Sequence, residues 1–259
     1  YAVTKFKNVP IKHFKLAFAS FYLMVAGILL RSITQPLADQ TLFGFINVGS
    51  GVMELVSVLI FMGIMIRTFR LSEYKQDFYE KYILASIVWF VVVVGMNLVM
   101  LIQMFSNRAT ILPQPYNNTI LHLEVFGFIT NMIMGFSLRI LPNFMGLKQP
   151  NEKLATQAFF IFNFGVFWRI ALLPYPIISS VVELTGIFLI IFSLNIFTKP
   201  VSSHQIQGVD NAYTWFVKTG YVWLIITGIM VLGADIYHMV TSMEIEHAYI
   251  GAYRHAITV

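Results

Sequence analysis

The chain has 259 residues, of which 58% are hydrophobic and 11% charged, with a mean hydropathy of +0.74 and a net charge of +5. A soluble domain carries about a quarter charged residues, so this composition excludes an ordinary soluble fold. The absence of cysteine excludes disulfides, thiolate metal ligation, iron–sulfur clusters and cysteine nucleophiles together.

Seven apolar runs reach the roughly 20 residues that cross a bilayer as a helix. They lie near 14–32, 43–67, 82–106, 120–144, 155–173, 177–198 and 213–238, and an eighth opens near 245. No alternating strand pattern accompanies them, which argues against a membrane β-barrel. Pro36, Pro113, Pro115, Pro150, Pro174, Pro176 and Pro200 punctuate the connections, and Pro142 is placed to end or kink the fourth span. The expected fold is an all-α polytopic transmembrane bundle of at least seven complete spans plus the start of an eighth. The chain reads as a single transmembrane domain over 1–259, cut short at both ends. No internal repeat or low-complexity tract stands out.

Basic residues set the expected orientation. Lys5, Lys7, Lys12 and Lys15 precede the first span; Arg67, Arg70, Lys75 and Lys81 separate the second from the third. Lys148 and Lys153 follow the fourth span, and Lys199 follows the sixth. The opposite connections hold only Arg31 and Arg108, with Arg254 just inside the eighth span. Positive residues favour the cytoplasmic side, so the N-terminus is expected in the cytoplasm. The same asymmetry removes nucleic acid as a partner: the basic residues act as topology signals, and the lipid bilayer is the expected surrounding.

This orientation puts His122, Glu124, Arg169, Glu183, Asp235, His238, His247, Arg254 and His255 near the outer face. Charge within a membrane costs several kcal/mol unless it is paired or ligated, so such a cluster points to a functional site. Neutral imidazole ligates haem iron and copper, which makes His122, His255, His238 and His247 the candidate metal ligands. An interfacial histidine hydrogen-bonded to a neighbour is the plainer alternative for each. His247 and His255 project about 80° apart on an ideal helix, so they suit separate centres. Arg254 and Arg169 are candidates for holding propionates or another anion. Arg169 and Glu183, flanking the turn between spans five and six, are expected to pair. Asp235, one turn before His238, is placed to orient its imidazole. Gly127 and Gly135 lie close to one helix face and allow a neighbouring helix to approach. Glu54, Asn97, Asn131 and Asn195 fall mid-span, and with Arg139 they outline an alternative solute or ion path. Phosphate-binding and hydrolase motifs are missing.

Several stretches resemble a known family. His122-Leu123-Glu124-Val125-Phe126-Gly127-Phe128-Ile129 is followed by Met134-Gly135-Phe136 and by Leu141-Pro142-Asn143-Phe144-Met145-Gly146. Together these resemble the histidine-led helix of NnrS-like membrane proteins, with Phe144 where that family usually has Trp. Trp168-Arg169 resembles the family's arginine on the next span, and Arg254-His255-Ala256-Ile257-Thr258-Val259 resembles its later histidine helix. The resemblance implies a haem-binding bacterial inner-membrane protein, broadly akin to subunit I of haem–copper oxidases. It implies haem as cofactor, copper as a second metal, and electron transport or nitric-oxide-linked redox chemistry near the outer, periplasmic face. His122 and His255 would be the haem ligands, Arg254 and Arg169 would meet the propionates, and Glu124 would orient a ligating imidazole. Two other readings stay open: a non-catalytic accessory or structural subunit of a larger membrane complex, and a small-molecule or ion transporter.

Overall fold

A computed structural model describes residues 2–9, 13–72, 77–112, 114–171, 175–201, 212–243 and 245–258. Lys12, Lys75, Pro113, Pro174 and Val259, and the side chains of Lys5, Pro115, His247 and Ile257, lie outside what is described. Every regular element among the described residues is helical. The helices are α1 (Ala2–Lys7), α2 (Phe14–Thr34), α3 (Thr41–Arg70), α4 (Phe78–Asn107), α5 (Gln114–His122), α6 (Asn131–Phe144), α7 (Glu152–Ile170), α8 (Pro176–Leu194), α9 (Ala212–Thr241) and α10 (His247–Thr258). A π-helical stretch, Leu123–Thr130, joins α5 to α6, and a 3-10 turn, Gln35–Leu37, follows α2.

Six helical segments are long and apolar enough to cross a membrane: Phe14–Leu37, Thr41–Arg70, Phe78–Asn107, Tyr116–Phe144, Pro176–Leu194 and Ala212–Thr241. They match six of the seven complete spans expected from hydropathy. The seventh, α7, forms as a helix but dilutes its apolar residues with Glu152, Lys153, Gln157, Asn163 and Arg169. The described part of α10 covers 12 residues, short of a crossing.

The chain divides into two compact units: Tyr1–Asp77 with Leu84–Phe128, and Phe78–Ile83 with Ile129–Val259. In the first unit α2 and α3 form an antiparallel hairpin. Lipid supplies no hydrophobic drive between helices, so small residues and polar cross-links hold such pairs together. Ser57 Oγ donates to the Ser20 carbonyl at 2.6 Å, and Ser20 Oγ donates to the Ser57 carbonyl at 3.0 Å. Along α2, Phe14, Phe18, Phe21, Tyr22, Leu29 and Ile33 stay exposed, as suits side chains that meet lipid.

In the second unit α7 and α8 form the corresponding hairpin, and α9 packs on α8 and α10 on α9. Asn151 caps α7 by accepting from the amides of Lys153 (3.1 Å) and Leu154 (3.2 Å). Its own amide reaches the Ser193 carbonyl at 3.1 Å and its carbonyl accepts from Ser193 Oγ at 2.8 Å, which ties the open end of the hairpin. Asn131 and Asn163 exchange side-chain amide bonds at 3.1 and 3.2 Å, linking α6 to α7. Tyr82 donates to the Ala155 carbonyl at 2.7 Å. Asn195, expected mid-span, instead ends α8 in a left-handed conformation (φ 54), where asparagine tolerates the backbone.

Gly127 and Gly135 both serve close packing against α4. A Cβ on Gly135 would lie 2.9 Å from Ile83 Cγ1 and 3.2 Å from the Tyr79 carbonyl, whereas one on Gly49 would meet nothing within 4 Å. Gly135→Ala is expected to destabilise the protein by about 1–3 kcal/mol through overpacking, and Gly49→Ala to leave it unchanged or slightly firmer. Denaturation of the two variants in detergent checks the contrast.

Candidate functional site

Among the described residues, each unit holds a cluster of charged side chains between its helices. The first is centred on Arg31 near the end of α2 and Glu54 in the middle of α3. Arg31 Nη1 lies 3.1 Å from Glu54 Oε2. The Glu54 side chain is 3% exposed, and its Oε1 has no hydrogen-bond partner among the described residues. Glu54 fits because the facing position on α2 is Gly27: a Cβ there would lie 2.8 Å from Glu54 Cγ and 3.0 Å from the Ser50 carbonyl.

This pair lines a cavity of about 350 Å³. Its polar wall consists of Arg31, Gln35, Glu54, Asn97, Asn117 and Glu124, and its apolar wall includes Ile28, Phe90, Val93 and Leu121. The volume lies at the small end of the range for ligand pockets. Two carboxylates face one guanidinium, and three carboxamides supply both donors and acceptors. The cavity can therefore hold water or a small polar solute.

Glu124 reaches the cavity from the π-helical stretch. Such stretches are rare and occur often at functional sites. Its local geometry is fixed by stacked rings: Phe128 lies on Phe90 with centroids 4.2 Å apart, and Phe126 lies on His122 with centroids 4.5 Å apart. Gly127 allows the Trp89 ring to come within 3.0 Å of where a Cβ would stand. His122 is buried (5% exposed) but is not part of the cavity wall.

The second cluster joins α7, α8 and α9. Arg169 donates from Nη1 to Asp235 Oδ1 at 3.1 Å and from Nη2 to Asp235 Oδ2 at 2.7 Å. Arg169 Nη2 also donates to Ser180 Oγ at 2.7 Å, and Ser180 in turn donates to Asp235 Oδ2. Glu183 sits beside this group, accepting from Ser179 Oγ at 3.0 Å and acting on Arg169 electrostatically. Tyr253 on α10 lies within electrostatic reach of Arg169, Asp235 and Arg254, with the Arg254 guanidinium 5.8 Å from its ring centre.

These arrangements bear on two expected partnerships. Glu183, the expected partner of Arg169, does act on its charge, and Asp235 adds a bidentate contact that presents both carboxylate oxygens to the planar fork. Asp235 is thereby committed, and His238 turns away: the ring is exposed and its Nδ1 lies 2.8 Å from the Met243 carbonyl. Of the candidate haem and metal residues, His122 and Glu124 belong to the first unit, and Arg169, His238, Arg254 and His255 to the second. His255 is exposed, and the side chain of His247 is among those not described.

No three His, Asp or Glu side chains among the described residues gather into a group able to hold a metal ion. The first unit's cavity has no histidine in its wall, and Arg169 spends its fork on a protein carboxylate rather than keeping it for a propionate.

Sequence reasoning missed Arg31, which reads as a topology residue, and Ser180. The signal for Arg31 was available in its register: it follows Gly27 by one helical turn, so both meet the same face of α3. No family model, curated protein or solved structure matches the chain.

Removing one partner of a buried ion pair strands the other, at a cost of about 3–5 kcal/mol. Asp235→Ala is expected to destabilise by that order, whereas Asp39→Ala at an exposed position changes stability by less than about 1 kcal/mol. Thermal or denaturant unfolding in one detergent compares the two.

Proposed function

We propose that this protein is an integral membrane protein that binds a small polar solute in the Arg31–Glu54 cavity and passes it across the bilayer. The observation that carries this reading is a buried carboxylate, Glu54, with an unsatisfied oxygen at the wall of a polar cavity between otherwise apolar helices. Membrane helices tolerate such a group where it lines a solvated path or meets a ligand. Glu54 and Asn97, both part of the solute path outlined from sequence, line this one cavity. Asn131 and Arg139 do other work in the second unit, pairing with Asn163 and lying over the Tyr79 ring. In this proposal α7 and α10 complete at least eight crossings, the N-terminus is cytoplasmic, and the membrane is a bacterial plasma membrane.

The test is entry of solute into proteoliposomes. Urea, methylammonium or acetate, whichever the cavity accepts, should enter vesicles holding the protein faster than protein-free vesicles. Asn97→Trp, which fills the cavity, should reduce that excess about tenfold or more. Equal entry with and without protein for all three solutes would count against passage.

A redox role with haem or copper is the second reading. The NnrS-like motifs imply it, and the π-helical distortion that begins directly after His122 favours it. The commitment of Arg169 to Asp235 weighs against it. In this reading His122, His255, His238 and His247 supply the ligands, within a complex that provides further subunits. A reduced-minus-oxidised optical spectrum of protein purified from a haem-sufficient host decides. A haem band lost in His122→Ala would favour redox chemistry, and a spectrum without haem would remove it.

A further inference from the structure

The two buried clusters share a sequence pattern and a local glycine–glutamate contact. Lys15-Leu16-Ala17 on α2 matches Lys153-Leu154-Ala155 on α7, followed by Phe21 and Phe159, Gly27 and Gly165, Arg31 and Arg169, and Pro36 and Pro174. On the next helix Ser50-Gly51-Val52-Met53-Glu54-Leu55 matches Ser179-Ser180-Val181-Val182-Glu183-Leu184. On the third, Val88-Trp89 matches Val222-Trp223, and Leu98 and Ile102 match Leu232 and Ile236. The fourth carries His122 in one copy and His255 in the other.

The local geometry repeats with the sequence. A Cβ on Gly27 would meet Glu54 Cγ at 2.8 Å and the Ser50 carbonyl at 3.0 Å; one on Gly165 would meet Glu183 Cγ at 2.7 Å and the Ser179 carbonyl at 3.0 Å. Gly51 faces Leu101, whose Cδ1 would lie 2.7 Å from its Cβ, as Ser180 faces Asp235. Leu101 and Asp235 are counterparts in the sequence match as well, and both are buried. Around the histidines Ile120 and Leu123 are buried, as are Tyr253 and Ala256, which makes Leu121 the counterpart of Arg254. The two sets of four helices thus share a common pattern, hidden in the sequence because the connections between matched helices differ in length.

The comparison shows what the first copy lacks. In the second copy Arg169 meets Asp235 and Glu183, and Arg254 stands beside Tyr253. In the first, Arg31 alone stands against Glu54 and Glu124, and Leu121 takes the place of the second arginine at the cavity wall. The cavity wall carries two carboxylates, Glu54 and Glu124, against one guanidinium, and Glu54 Oε1, in a side chain 3% exposed, has no hydrogen-bond donor among the described residues. We infer that the Arg31–Glu54 cavity binds a small organic cation of the guanidinium or ammonium type, which adds a second positive charge beside Leu121, the position that Arg254 holds in the second copy. This rests on the reading of that cavity as a solute site and names the class of its ligand. An N–H-bearing cation suits the wall because Glu54, Glu124 and the Asn97 and Asn117 carbonyls all accept hydrogen bonds.

The test is equilibrium dialysis of the full chain in detergent with methylguanidinium, its neutral analogue urea, and acetate. Methylguanidinium should bind, and urea and acetate should bind at least about tenfold more weakly, since a hydrogen bond to a charged group contributes more than a neutral one. Leu121→Arg, which installs the second copy's charge, should abolish binding. Glu54→Gln and Glu124→Gln, which remove negative charge with little change in shape, should each weaken it about tenfold or more and keep the inference testable if Leu121→Arg fails to fold. Urea binding as tightly as methylguanidinium, or acetate binding best, would overturn the cation while leaving the cavity as a solute site. Binding of none of the three would overturn both.

Discussion

The burial of ion pairs between apolar helices is the constraint around which this protein is arranged. A guanidinium and a carboxylate removed from water must find each other or other partners, because the low-dielectric interior penalises either one alone. Each unit meets that demand in a helical hairpin. A glycine on the first helix lets a glutamate on the second come close, and an arginine one turn further on shares the face. The glycines matter because any side chain there would occupy the space of the glutamate stem. The hairpin geometry, the depth of the charges and the position of the cavity all follow from that contact.

The two units resolve the same arrangement differently. In the second, Asp235 and Ser180 close around Arg169, so its charge is met within the protein. In the first, the matching positions are Leu101 and Gly51, which offer Arg31 nothing polar, and its recorded partner is Glu54. Substitutions at these positions separate a closed, structural ion network from an open polar cavity. Glu124 adds to the difference, because the π-helical stretch brings it to the cavity wall.

Much of the fold is legible in the sequence, because crossing a bilayer requires long apolar runs and those runs survive in composition. The boundaries of α2, α3, α8 and α9 fall within a few residues of the hydropathy reading. The charged partners are less legible. Arg169 with Glu183 is legible from their common depth near one turn, but the bidentate contact comes from Asp235 on a third helix, and depth alone does not choose among helices. Asn195 looked mid-span because hydropathy does not register where a left-handed residue ends a helix. Arg31 carried a topology signal that masked its partnership. The pattern shared by the two sets of helices is faint in the sequence, because matched helices share only a few identities each and their spacing shifts at every connection. Local packing reveals it, since Gly27 and Gly165 meet the same atoms of their respective glutamates.

The central claim is that water and solute reach Glu54 through a polar cavity within the membrane helices. Because the chain has no cysteine, a single introduced cysteine reports its own surroundings. The most direct measurement is the rate at which a charged, membrane-impermeant thiol reagent modifies Asn97→Cys in proteoliposomes, beside Val99→Cys on the exposed apolar face of the same helix. The account predicts ready modification at position 97, little at 99, and protection of 97 by solute that fills the cavity. A cysteine at 97 as unreactive as one at 99 would contradict it.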